Sequence, residues 1–475
     1  MLQPSTKKEN LNLKDNKDHQ FYPMFKNILI LFVLFTSLLT KAQLIDNDFC
    51  GYQTEVDRIL KRNPQFLDWQ NNLYKEAMNE YFIQQNNKRN FTVSSDTLTY
   101  TIPVVFHVLY NNNNENIDFS YIQSQMDELN LAFNHQTRDT QRIRPIFKPV
   151  GGDTRIRFVL ATVDPSGNPT NGVTRTFTNK TTFSLNIYGQ YSTDMKYASR
   201  GGKTAWDPTK YMNVWVCNMR FPNQVSMTLG FATPPTNAPN WNFTGATKDT
   251  TDLETGVVCH FSTIGKNHPL AISNNDEAKT MIHEVGHYLG LRHTWGDAQN
   301  TSQGCSVDDG IFDTPNTRTR NYSCSNQNTC TESIDDKPDM TENYMDYSLD
   351  GCAAMFTKQQ GFMMRFVLNK HRTGLPKREI TFDTTYEIIQ NTTVKLYPNP
   401  IIKGNSINLE IKSPEKSDFE VSLIDMNGKQ VITETIQSNQ KETILLESYP
   451  IGFYAVLVKS KNTGKFVHKQ IIVIE

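Results

Sequence analysis

The distribution of apolar and polar positions divides the chain into stretches of unequal character. Residues 43–88 are mainly polar and hold one helical pattern, Asp68 to Gln85, in which Leu73, Ala77 and Tyr81 recur every fourth residue and so share a face. From Tyr100 the pattern tightens. Thr101 to Tyr110 is an apolar run of the length of a buried strand, and Ile122, Met126, Leu129 and Phe133 mark one side of a helix over Ile122 to Phe133. Further strands are expected at Ile156 to Val163, Met212 to Cys217 and Gly256 to Phe261. Strand, helix and strand in that order predict an α/β (α+β) unit in three layers with a twisted sheet inside. A long helix follows, starting near Asn275 to Glu277, where Asn275 and Asp276 are good caps and Glu277 suits the positive helix end. Turns dominate beyond His293, until a closing helix at Phe356 to Leu368. Lys370 to Thr393 reads as a connector. Short alternating strands from Val394 onward, with turn signals such as Asp425 to Lys429, predict a small C-terminal β-sandwich.

One apolar run stands apart. Ile28 to Leu39 follows Lys26 and ends in Thr40-Lys41-Ala42-Gln43, which reads as a secretory signal beginning at Met24, too short for a permanent membrane span. With 37% hydrophobic and 20% charged residues the remainder has the balance of an ordinary globular protein, and 475 residues exceed what one small core organises. A net charge of −1 offers no basis for holding nucleic acid. Export makes disulfides possible, and seven cysteines leave at least one outside any pairing. Cys305, Cys324, Cys330 and Cys352 crowd a loop-rich stretch, where spacing alone permits three pairings. Closing a loop of about 25 residues stabilises a fold by roughly 3 kcal/mol in the chain-entropy model.

The chemistry concentrates in His283-Glu284-Val285-Gly286-His287-Tyr288-Leu289-Gly290-Leu291-Arg292-His293. His283 and His287, four apart on a helix, project from one face and can each give a nitrogen to one zinc ion. Gly290 can take the left-handed conformation that ends the helix and brings His293 back as a third ligand, leaving one position open. Glu284 is then the candidate general base for an attacking water. Cys50, in the polar leading stretch, is a candidate fourth ligand that would keep the site idle until the segment is removed, with a disulfide to Cys217 or Cys259 as the alternative. Asp308 to Pro315 offers carboxylates and a hydroxyl within a short loop, suited to a hard cation such as calcium.

The zinc run resembles the elongated signature of the metzincin endopeptidases, and Asn343-Tyr344-Met345-Asp346-Tyr347 resembles their methionine turn, with Met345 beneath the metal. With Gly304-Cys305, Asp313-Thr314-Pro315, Asp350 before Cys352, and Phe356-Thr357, the stretch from about Tyr100 to Arg372 is similar to the pappalysin family, particularly its secreted bacterial members. That resemblance implies a metzincin-like protease fold with zinc on His283, His287 and His293, Glu284 as base, and Tyr347 as an oxyanion-stabilising hydroxyl. It further implies Asp350 at the floor of a pocket for Arg or Lys, hence cleavage of proteins or peptides on the amino side of basic residues. Structural calcium at Asp309, Asp313 and Thr314, pairing of Cys305 with Cys330 and of Cys324 with Cys352, and latency through Cys50 follow from the same likeness, with Lys88-Arg89 as a self-cut.

The tail, through Tyr397-Pro398-Asn399-Pro400, Asp425 to Lys429 and Gly452-Phe453-Tyr454, is similar to the sorting domain of type IX secretion cargo. It implies passage through that machinery to the cell surface or exterior of a Gram-negative bacterium. The expected organisation is therefore a signal region (1–42), a latency segment (43–88), a catalytic domain (89–376), a linker (377–393) and the sorting domain (394–475). The alternative is a surface binding protein on an inactive protease fold, which would have no use for Glu284.

Overall fold

The computed structural model describes residues 49–88, 98–183, 193–220, 228–235, 254–272, 275–297, 303–333, 335–375 and 377–380, and, in the C-terminal part, 392–399, 401–414, 416–425, 430–445, 452–462 and 466–474. The expected signal run at 28–39, the start at Met24, Arg89 of the basic pair and the turn at 426–429 lie outside the described residues.

The leading segment forms two helices where the apolar pattern predicts one: α1 (Tyr52–Arg62) and α2 (Phe66–Lys88). The larger unit is built on β1 (Leu98–Tyr110), which is buried on both faces and therefore reads as a continuous apolar run. Along one edge β1 pairs in parallel with β2 (Ile156–Leu160) and then β3 (Val173–Phe177); along the other it pairs in parallel with β4 (Met212–Cys217). Antiparallel β5 (Gly230–Ala232) forms the rim beyond β6 (Val257–His260). Helix α3 (Phe119–Phe133), capped by Asp118 accepting from Ser120 N at 2.8 Å, packs with α4 (Lys279–Tyr288) and α5 (Lys358–Lys370). Ile122, Met126, Leu129 and Phe133 are buried there as their periodicity requires.

Of the three expected layers, the described residues include the sheet and the helices on one of its faces. Val104, Phe106, Val108, Val214 and Val216 face the helices, whereas Leu109, Trp215 and Cys217 point to the opposite side. Among the described residues that side is covered not by a helix but by Phe183, Met195 and the short turns Asp194–Lys196 and Ala198–Arg200. The segment carries Gly201-Gly202 and Pro208 and lacks a run of helical period. A last strand, β7 (Lys377–Ile380), joins β1 antiparallel.

The tail is a β-sandwich. One sheet holds β8 (Thr393–Tyr397), β10 (Ser406–Lys412) and β13 (Lys441–Leu445). The other holds β9 (Ile401–Ile402), β11 (Asp418–Asp425), β12 (Gln430–Gln437), β14 (Gly452–Ser460) and β15 (Phe466–Ile474). Alternating Ile407, Leu409 and Ile411 meet Phe419, Val421 and Leu423 between them. Cys305–Cys330 and Cys324–Cys352 are disulfides, while Cys217 and Cys259 are buried thiols whose pKa burial raises. Among the described residues no helix is long and apolar enough to cross a membrane.

Candidate metal centre and its covering segment

Helix α4 starts three residues later than its polar leader predicts. Neither Asn275 nor Asp276 caps it; Ala278 takes a left-handed conformation (φ 64°), and Glu277 N donates to Asp350 Oδ2 at 2.9 Å. The first turn is anchored by Lys279, whose buried Nζ reaches Asp139 Oδ2 (2.8 Å), Ala353 O (2.8 Å) and the carbonyl of Asp350.

At the other end, Gly290 has φ 98°, and a Cβ there would meet Val367 Cγ2 at 2.8 Å. The turn it permits returns His293 to the face of His283 and His287. His287 Nε2 lies 3.1 Å from His283 Nε2 and 3.0 Å from His293 Nε2. Each Nδ1 faces an acceptor: Tyr344 O for His283 (2.6 Å), Leu291 O for His287 (2.8 Å) and Asp297 Oδ1 for His293. The ring proton is therefore assigned to Nδ1, and the three Nε2 lone pairs point at one another. Such a set is repulsive until a cation sits among the nitrogens, so these residues fit a zinc ion. Burial, reinforced by neighbouring imidazoles, pushes His283 down to about 3 and His287 well below the usual imidazole range, which keeps both neutral as ligands must be.

Cys50 joins this group. Its Sγ and the three imidazoles offer ligand atoms all within 4.8 Å of one another, and all four residues are buried. Cys50 is in no disulfide; its Sγ accepts from Tyr52 N (3.4 Å) at the start of α1, where the positive helix end favours a thiolate. The segment is held against the rim strand by Gly51 N to Gly230 O (2.8 Å) and Leu229 N to Phe49 O (2.8 Å). Tyr52 stacks on the His287 ring at 3.9 Å between centroids.

Glu284 is 1% exposed and packs under β5. Gly230 makes room for it: a Cβ there would stand 2.7 Å from Glu284 Cγ. Beneath the ligands Met345 leaves no room for a side chain at 286, since a Cβ on Gly286 would meet Met345 Sδ at 2.4 Å. Tyr347 Oη donates to Cys50 O (3.2 Å), and its ring centroid is 5.0 Å from that of His293. Asp350 lines the same cavity as Thr280, His283, Glu284 and Ser348, and burial pushes its carboxyl up to about 7.

The acidic loop is different. Asp309 accepts from Ile311 N (2.9 Å) and Thr314 Oγ1 (2.9 Å), while Asp313 turns to Gln359 N (3.1 Å) at the start of α5. Burial raises both carboxyls, Asp313 to about 6. Among the described residues, the group around Cys50 is the one set of three or more His, Cys, Asp or Glu side chains gathered closely enough to share an ion.

Several contacts escaped sequence reasoning. Tyr74 Oη donates to Gly290 O (2.7 Å) and accepts from Arg292 N (2.9 Å), tying α2 to the loop between the second and third histidines. Arg58 Nη1 reaches Glu254 Oε2 at 2.6 Å across the segment boundary. No local signal marks these pairs, which are joined only by the fold.

Residues 196–369 match the peptidase family described as pregnancy-associated plasma protein-A, and residues 395–473 match the secretion system C-terminal sorting domain. The chain is similar to mature mirolysin of Tannerella forsythia with a cleaved peptide, at 36% identity, covering 58% of this chain and 95% of that one with a TM-score of 0.50. A promirolysin variant of the same organism gives 33% identity, 69% and 96% coverage, and a TM-score of 0.54. Extracellular metalloprotease 1 of Coccidioides posadasii is 33% identical over 161 residues, a third of this chain and 51% of that protein. An extracellular metalloprotease of Arthroderma benhamiae is 35% identical over 107 residues, 34% of its length. The matched stretch thus spans between a third and a half of these two fungal relatives.

Proposed function

This chain belongs to the pappalysin family of metallopeptidases, that of pregnancy-associated plasma protein-A, and from that premise we propose that it is a secreted zinc metalloendopeptidase made as a latent precursor. The observation that carries the reading is the convergence of three imidazole Nε2 atoms, each oriented through Nδ1, at a cavity that Glu284 lines together with His283. Zinc held by His283, His287 and His293 would supply a Lewis acid for peptide hydrolysis.

The chain's own groups do the rest. Glu284 accepts the proton of the attacking water and later delivers it to the leaving amine. Tyr347 donates its hydroxyl proton to the developing oxyanion; in the covered state that hydroxyl is engaged by the Cys50 carbonyl, so departure of the segment releases it. Asp350 pairs with an Arg or Lys side chain entering the cavity, which sets cleavage on the amino side of basic residues. Its desolvated carboxyl is what a guanidinium would stabilise.

Cys50 would supply a thiolate to zinc in the precursor and keep water from it, so residues 43–88 act as the latency segment and cleavage near Lys88 activates. Calcium at Asp309, Asp313 and Thr314 is what the family resemblance implies; Thr314 Oγ1 donates to Asp309 at 2.9 Å, whereas Asp313 accepts from Gln359 N. The tail addresses the protein to the type IX machinery and thus to the surface or exterior of a Gram-negative bacterium.

The test is processed protein on a peptide mixture, with and without a chelator, beside Glu284→Ala. Cleavage stops with chelator, returns on adding zinc, and falls by several orders of magnitude in Glu284→Ala. Equal cutting by variant and parent would refute the mechanism.

A further inference from the structure

The three candidate ligands are not oriented alike. His283 and His287 direct Nδ1 at backbone carbonyls, which any residue could supply, whereas His293 directs it at the carboxylate of Asp297. An anionic acceptor draws the Nδ1 proton more strongly than a carbonyl and raises electron density at the opposite nitrogen.

The backbone is bent to bring this carboxylate in. Gly296 and Asp297 are consecutive left-handed residues, φ 63° and 60°, and for Asp297 that conformation is an uncommon one for a residue with a side chain. Gly296 N donates back to His293 O at 2.9 Å, closing the turn. A Cβ on Gly296 would stand 2.6 Å from the backbone of Asp308, so the turn is also pressed against the acidic loop. Trp295 stacks on the His293 ring at 4.2 Å with planes 7° apart. Indole on one face and carboxylate on one edge leave the imidazole little freedom, and both come from the residues that immediately follow it.

We propose that Asp297 is the positioning residue of the metal centre: it fixes the tautomer and direction of His293 and supplies the one anionic charge among the histidines' acceptors, making His293 the strongest donor of the three. The proposal rests on the zinc reading. It assigns the stretch from Thr294 to Asp297 to the site, beyond the histidine run itself.

The test uses the full-length precursor carrying Glu284→Ala, so that self-processing does not intervene, with zinc occupancy measured against a graded series of zinc buffers. Adding Asp297→Ala weakens zinc binding by about 10- to 100-fold. Asp297→Asn, which keeps an oxygen acceptor without the charge, falls between. Cobalt in place of zinc gives a visible spectrum that shifts in both variants, and the unfolding midpoint of the metal-free protein stays that of the parent. A parent that takes up no zinc sinks the zinc reading itself. A parent that binds zinc, with Asp297→Ala and Asp297→Asn binding it equally well, overturns only the role of Asp297. Weaker binding accompanied by an equal drop in the metal-free midpoint overturns it too, in favour of a merely structural turn.

Discussion

Single side chains carry the sharpest consequences. Gly286 stands between the first two histidines, and its lack of a Cβ is what allows Met345 to sit against the helix. Gly286→Ala forces Met345 or the helix aside and is expected to destabilise the folded protein by roughly 1–3 kcal/mol. A thermal melt showing no drop would mean that the methionine turn yields freely. Asp350 predicts a pH dependence. In the covered precursor burial disfavours the anion and pushes its carboxyl up to about 7. Below that pH it is neutral and cannot pair with a substrate cation; above it the anion is present. The kcat/KM of the processed enzyme for peptides with Arg or Lys after the scissile bond therefore falls as pH drops through the raised pKa of this carboxyl, and falls less for Leu at that place. In Asp350→Asn the two profiles become parallel. Profiles already parallel in the parent would remove Asp350 from specificity.

At the scale of elements, the covering segment is held by more than its cysteine. Helix α1 places Glu55 and Arg58 against a buried group on the protease side. Arg58 bonds Glu254 Oε2 (2.6 Å) and its own Glu55 (2.6 Å), and Glu55 Oε1 approaches Thr233 Oγ1 at 3.4 Å. Tyr197 Oη donates to Glu254 (2.7 Å), and buried Lys196 reaches Glu254 O at 2.5 Å. Burial would raise the Glu55 carboxyl, but Arg58, together with Lys196 and Arg62, more than offsets it and the carboxyl is held below its usual range. Removing one partner of a buried pair leaves the other uncompensated, so Arg58→Ala should weaken the hold by roughly 3 kcal/mol. Activation of that precursor, followed as appearance of cleaved peptide, is then faster than in the parent. Cys50→Ala shortens latency by the separate loss of the metal contact, and the double variant is faster than either. A double variant no faster than Cys50→Ala alone would show that the ionic contact holds nothing.

Across the whole molecule, the tail and the catalytic part have separate cores. The sandwich contains no His, Cys, Asp or Glu group of metal-binding geometry among its described residues. Deleting residues 394–475 is therefore expected to leave the protein inside the cell envelope, with zinc-dependent cleavage intact in the extract. Secretion of the truncated chain at the parent level would contradict the sorting role.

What could be read from the chain alone was whatever rests on short spacing. Histidines four apart on a helix, a glycine at a left-handed turn and apolar residues of period two or four are consequences of backbone geometry, and they placed β1, α3, the histidine run and the sandwich. The family likeness added the methionine turn and the disulfide pairs, which spacing leaves open. Only the fold could decide the contacts between distant residues: Tyr52 on His287, Gly230 over Glu284, Arg58 with Glu254, and Asp350 on the backbone just ahead of α4. Each is a meeting of surfaces brought together by burial of a common core, and a hydrogen bond or a missing Cβ leaves no periodic trace. Asp297 lies four residues from His293, yet its role depended on the turn pressed against Asp308. The physical division is between what a few consecutive backbone dihedrals determine and what close packing selects.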